Sequence, residues 1–141
     1  MAFTFHKSER LCSKKLIAQL FVKGNRGFSR FPFRFTWVEA PLDSHYPVQV
    51  LFIVSKRNFP NASGRNRVKR QMREFYRHAK PQLYEVLQKH GKQIALSVAY
   101  MSPAHLSSQE LSRLFTTGIN QLCYEMAKHR EGSVHPPDQN I

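Results

Sequence analysis

Residues 65–77, Arg-Asn-Arg-Val-Lys-Arg-Gln-Met-Arg-Glu-Phe-Tyr-Arg, carry two sets of side chains at one spacing. Wound at about 100° per residue, Val68, Met72, Phe75, Tyr76 and Ala79 gather on one side of a helix. Asn66, Lys69, Arg70, Arg73 and Arg77 gather on the other, with Glu74 at the flank. Burying the apolar stripe holds the helix still, so the opposite face presents a fixed row of positive charge. Such a row matches a polyanion whose phosphates also sit at a fixed spacing. A face that only solubilises would interleave Glu with Lys at i,i+4. This one is nearly of a single sign.

Composition supports the same partner. The chain has 22 Lys+Arg against 9 Asp+Glu in 141 residues, a net charge of +13, and an anionic partner relieves that self-repulsion. The hydrophobic share of 41% is enough for a core and argues against wholesale disorder. Anionic membrane is the rival polyanion, but the chain contains no long apolar run, and residues 1–7 are too poor in apolar content for a secretory signal. Cys12 and Cys123 belong to no CxxC pair and are expected as reduced thiols in a cytoplasmic protein, Cys123 as core packing.

Along the chain, Ser13 is a fitting N-cap for a short helix with Leu16, Ile17, Leu20 and Phe21 apolar and Gly24 just past its end. Phe31, Phe33, Phe35 and Trp37 then alternate with other side chains, predicting a strand with one aromatic face. That row is open to two readings, a stacking platform for bases or core packing. Residues 41–47 read as a turn, and 48–54 as a strand apolar enough to be covered on both faces. A basic loop, 55–64, leads into the cationic helix. Pro81 should end or kink that helix near Lys80 and open a second short helix, closed by Gly91. Residues 94–100 read as a third strand. Ser107 and Glu110 form a capping box before a helix with Leu111, Leu114, Phe115, Ile119, Leu122, Cys123 and Met126 apolar. The expectation is one α+β sandwich domain over 1–128, a small sheet with helices packed on it, and a polar flexible tail at 129–141.

Catalytic chemistry is not encoded in any recognisable set. The acidic residues are scattered, no His/Cys set has metal-ligand spacing, and HExxH, Walker and nucleophile-elbow motifs are absent. The residues therefore describe a binder, with any associated catalysis performed by its partner.

Ser55-Lys56-Arg57 after an apolar strand, then Gly64-Arg65-Asn66-Arg67-Val68-Lys69-Arg70 entering a helix with Arg73 below, resembles the signature of the protein subunit of bacterial ribonuclease P. Arg10-Leu11 ahead of a short helix, the strand at 94–99, Pro103 and the capped last helix extend the resemblance over about residues 10–128. It implies an extra strand near 27–30, a four-stranded sheet in the order αβββαβα, and a left-handed βαβ crossover. It implies a function as well: association with a catalytic RNA and removal of the 5′ leader from precursor tRNA, the RNA and its Mg²⁺ ions carrying out the hydrolysis. No obligate protein partner is expected.

Carried over by position, Arg65, Asn66, Arg67, Lys69, Arg70, Arg73 and Arg77 are expected to face the RNA, with Lys56 and Arg57 adding backbone contacts. A cleft for the leader is expected between the first helix, through Ile17 and Phe21, and the sheet, through Phe35 or Trp37. The family commonly has an aromatic residue where this chain has Ile17, and a basic residue where it has Tyr100-Met101, Tyr100 being the candidate replacement contact. Two other classes of function fit the residues less closely: a structural ribosomal or RNA-chaperone protein, and a DNA-binding repressor with the 65–77 helix in a major groove.

Overall fold

The computed structural model describes residues 5–22, 25–104 and 106–128. Gly24 and the expected tail at 129–141 lie outside the described residues. A 3₁₀ turn at Lys7–Glu9 precedes α1 (Lys14–Leu20), β1 (Arg26–Arg30), β2 (Phe33–Glu39), β3 (Val48–Val54), α2 (Ala62–Lys89), β4 (Ile94–Tyr100) and α3 (Ser108–Lys128). The four strands form one sheet in the order β1-β2-β4-β3. β1 with β2 and β2 with β4 are antiparallel, whereas β3 and β4 are parallel and need a crossover, which α2 makes. This is the α+β sandwich the sequence predicts, and β1 occupies the place expected for the extra strand.

Period-2 alternation sorts the strands into two faces. Phe33, Phe35 and Trp37 of β2, Val48, Val50, Phe52 and Val54 of β3, and Ile94, Leu96, Val98 and Tyr100 of β4 form the main core with α2 and α3. On the other face α1 packs Leu16, Ile17 and Leu20 against Leu11, Val38, Leu51 and Ala95. β4 is buried on both faces at nearly every position, as its place between β2 and β3 requires. The expectation that 48–54 would be doubly covered is corrected: β3 alternates buried with half-buried residues, because it lies at the end of the sheet. Its edge is partly closed by the N-terminal segment, where Arg10 bridges Val50 and the Leu11 N–H donates to the Val50 carbonyl at 3.0 Å.

α2 begins at Ala62, inside the loop expected over 55–64; the other helix ends follow their sequence signals with one exception. Ser13 Oγ accepts from the Leu16 N–H at 3.2 Å, and Ser107 Oγ from the Glu110 N–H at 3.2 Å. Gly91, at φ 63°, stops α2: its N–H donates to the Gln88 carbonyl and that of Lys92 to Leu87, the Schellman arrangement. The exception is Pro81. The helix does not end near Lys80; α2 runs unbroken through Pro81 for 28 residues. Proline forfeits one backbone hydrogen bond and strains the preceding turn, a cost of about 3 kcal/mol. Ala79, Lys80, Leu83 and Leu87 on either side of it are all buried, and that packing outweighs the local penalty.

Candidate nucleic-acid interface

The apolar stripe of α2 is buried as its spacing requires, with Val68, Met72, Tyr76 and Ala79 in the core and Phe75 half-buried against Phe115. The opposite side carries the cations into solvent, although they are not equivalent. Asn66, Arg67 and Arg70 are exposed, whereas Lys69 and Arg73 are half-buried. The Arg65 guanidinium folds back on its own loop, Nη1 donating to the Phe59 and Pro60 carbonyls at 2.9 Å each. It ties the basic loop to the start of α2. Arg77 Nη2 donates to both carboxylate oxygens of Glu74 at 2.8 Å, so its charge is already shared with a carboxylate. Glu74, which also meets His78 at 3.1 Å, is held below the usual carboxylate range by its bonds to Arg77 and then His78. The free end of the row is thus at Asn66, Arg67 and Arg70, and Arg77 is its protein-paired end.

Lys56 and Arg57 stand exposed on the turn after β3, which Ser55 shapes by accepting from the Asn58 and Phe59 N–H groups. On the flank of α2, Arg73 is pushed below the ordinary arginine value by burial, then by the charges of Arg10 and Arg70. Arg10 is set there by the bridge to Val50 and by lying 5.6 Å over the Phe5 ring, itself edge-on to Tyr76. Arg10 therefore joins the cationic surface through a long-range strand contact that no local pattern announces.

A second feature escapes sequence reasoning altogether. Glu9 is fully buried and pairs with Lys80, itself only 5% exposed. The Tyr84 hydroxyl donates to Glu9 at 2.6 Å and accepts from Tyr76 at 3.1 Å, while the His6 N–H donates to Glu9 at 2.7 Å. Burial alone pushes the Glu9 carboxyl up, but these hydrogen bonds and the Lys80 charge together hold it below its ordinary value. Burial raises the phenols of both Tyr76 and Tyr84, keeping them as neutral donors. The network clamps the N-terminal segment, and with it Arg10, onto α2.

Beside α1, Ile17 is half-buried and Phe21 is 59% exposed at the helix end. The expected sheet-side partners are corrected. Phe35 and Trp37 are buried in the main core, on the face away from α1, where Phe35 meets Phe28 and Phe115. Alternation sends the bulkier set of β2 toward the deeper layer, and Gly118 of α3 leaves room there for the Phe35 ring. The side chains of β2 turned toward α1 are Thr36 and Val38, joined by Leu51 of β3. Phe31, expected at the head of the aromatic row, lies outside β2 and is exposed. Tyr100 is also buried, its hydroxyl donating to the Ala104 carbonyl at 2.7 Å, and so does not replace a basic contact. Cys123 is half-buried and its thiol is pushed up to about 11 by burial, as a packing residue should be.

Among the described residues no three His, Cys, Asp or Glu side chains gather closely enough to hold a metal ion, and no helix is long and apolar enough to cross a membrane. A helix-turn-helix is excluded, because a strand and not a helix precedes α2.

Comparison with known proteins places this geometry. The family model described as Ribonuclease P matches residues 5–122. A ribonuclease P protein component from Chlorobium phaeobacteroides is 37% identical, the match covering 79% of this chain and 85% of that protein. Another from Porphyromonas gingivalis is 38% identical over 70% of each chain. The fold is similar to that of the Staphylococcus aureus RNase P protein (TM-score 0.55, 18% identity, 86% and 97% of the two chains). It is also similar to the RNase P protein from Thermotoga maritima (TM-score 0.52, 21% identity, 85% and 96%).

Proposed function

This chain belongs to the ribonuclease P protein family, a ribonuclease subunit that acts in tRNA processing with an RNA partner, and from that premise we propose how it works. It binds the catalytic RNA of ribonuclease P through Asn66, Arg67, Lys69, Arg70 and Arg73 of α2, with Lys56, Arg57 and Arg10 alongside. It takes the 5′ leader of precursor tRNA along the open side of α1, at Phe21 and the accessible part of Ile17, beside the sheet face that carries Thr36. The RNA partner performs the phosphodiester hydrolysis that releases the leader, in the cytoplasm.

The observation that carries this reading is the build of α2: a stripe of Val68, Met72 and Tyr76 sunk in the core, and a free cationic edge at Arg67 and Arg70 on the other side. An α-helix held on one side keeps its charges in register with phosphates and spends little ordering entropy on binding. Mg²⁺ belongs to the RNA in this scheme. Among the described residues no three His, Cys, Asp or Glu side chains gather around a common point. The polypeptide's work is to neutralise backbone charge where RNA and substrate meet and to hold the leader.

The test is reconstitution with the ribonuclease P RNA of its own bacterium and a precursor tRNA at low Mg²⁺. Cleavage at the mature 5′ end should accelerate when the protein is added. Cleavage indifferent to the protein would favour a structural RNA-binding role instead.

A further inference from the structure

Arg65 carries the charge of the cationic row but not its direction. At about 100° per residue it falls about 20° from Met72 and Tyr76, in the apolar stripe of α2, and about 160° and about 140° from Arg67 and Arg70. Met72 and Tyr76 enter the core, whereas Arg65 lies in the first turn of α2, beside the loop that joins β3 to the helix, and is half-buried. A guanidinium turned inward at that point must find acceptors close by. It finds two in succession, Nη1 donating to the adjacent Phe59 and Pro60 carbonyls at 2.9 Å each. Both hydrogens of Nη1 are engaged, which closes the fork that would set Nη1 and Nη2 together on one phosphate.

Arg65 completes a frame that the loop itself begins. Ser55 Oγ accepts from the Asn58 N–H at 3.2 Å, and the Ser55 carbonyl accepts from the Phe59 N–H at 3.0 Å. The Phe59 ring lies 5.9 Å from that of Tyr100, at the end of β4, and anchors the loop from below. Asn61 gives the helix start no side-chain cap, so the Arg65 bonds are what carries the frame from the loop into α2. Between these anchors stand Lys56 and Arg57, both exposed. Two long cations on a turn bind phosphate better from a fixed base, because less ordering entropy is lost on binding. We propose that Arg65 is a positioning residue: it does not touch RNA, and its grip on Phe59 and Pro60 fixes the 55–61 loop so that Lys56 and Arg57 are presented already aimed. This rests on the function proposed above, and it gives one arginine of the Arg-Asn-Arg segment a task different from that of its neighbours.

Arg65→Met keeps an unbranched apolar stem and removes the donors. In the protein without RNA, trypsin should cut after Lys56 and Arg57 at least about fivefold faster in this variant, because local opening of the loop no longer breaks two charge-assisted hydrogen bonds. Binding is tested by a double-mutant cycle with Lys56→Ala/Arg57→Ala, read as affinity for the catalytic RNA and, in the reconstituted holoenzyme, for precursor tRNA. Arg65→Met should weaken whichever affinity Lys56→Ala/Arg57→Ala weakens, by about threefold or more, since the loop must then be ordered on binding. Once Lys56 and Arg57 are alanine, the same change should cost less than about twofold, the scatter of independent sites. An equal loss in both backgrounds makes Arg65 a direct RNA contact and overturns the proposal. So does an Arg65→Met protein unchanged in trypsin cleavage or in binding, or a Lys56→Ala/Arg57→Ala protein that binds both RNAs as tightly as its parent. A holoenzyme that still depends on its protein in those cases leaves the proposed function standing, whereas cleavage indifferent to added protein removes both.

Discussion

Replacing Glu9 by Gln should be among the costliest conservative changes in this protein. The substitution keeps the shape but removes the charge that neutralises Lys80, which is 5% exposed and has little water to turn to. Stranding a buried ammonium costs about 3–5 kcal/mol, and total stabilities of single domains run only about 5–15 kcal/mol. At roughly 2–4 °C per kcal/mol for a chain of this size, the melting temperature should fall by about 6–20 °C. Lys80→Met in the same background removes the stranded charge, so the Glu9→Gln/Lys80→Met pair should lose clearly less than the sum of the single changes. Urea unfolding of the four proteins measures the coupling. Acid should act on the same bond. Because the folded Glu9 sits below its ordinary value of 4.5, its contribution is complete above that value and disappears as pH falls through the lower folded one. Glu9→Gln should therefore flatten the acid limb of the stability profile. A single-variant loss below about 1 kcal/mol, or strict additivity, would show that the pair does not clamp the N-terminal segment.

Other expectations are narrower. Arg67→Ala or Arg70→Ala should each weaken binding to the catalytic RNA by roughly 1–3 kcal/mol and reduce its salt dependence, with the fold unchanged; unaltered dissociation constants for both would remove them from the interface. Phe21→Ala should cost little stability, because the ring is 59% exposed, yet lower the preference for precursor over mature tRNA; a large fall in melting temperature would make it a packing residue. Gly118→Ala should destabilise by about 1–3 kcal/mol, since a methyl group there overlaps the Phe35 ring, and thermal melting with RNA affinity measured on the surviving fold checks it.

What the chain discloses locally, it discloses well. Alternation in 33–39, helical spacing in 65–79 and 111–126, and the caps at Ser13, Ser107 and Gly91 are each decided within a few residues, and each is where the pattern puts it. Pro81 misleads because the packing of Lys80, Leu83 and Leu87 against distant segments outweighs a nearest-neighbour penalty. Phe35 and Trp37 mislead for another reason. Alternation divides a strand into two faces but does not say which layer lies above which face, and that is set by the order β1-β2-β4-β3. The cationic edge was legible because its residues are neighbours on one helix. Arg10, brought to α2 by a bridge to Val50, and the Glu9–Lys80 pair, separated by 71 residues, are products of tertiary pairing.

The crowding of Arg10 and Arg70 around the half-buried Arg73 has a consequence for the polypeptide by itself. Three like charges gathered on a folded surface are a strain that the protein bears until company arrives. A single bridging anion would turn mutual repulsion into shared attraction, so the unaccompanied chain is an electrostatic half-structure. An anion that spans the three is therefore expected to raise the melting temperature of the polypeptide.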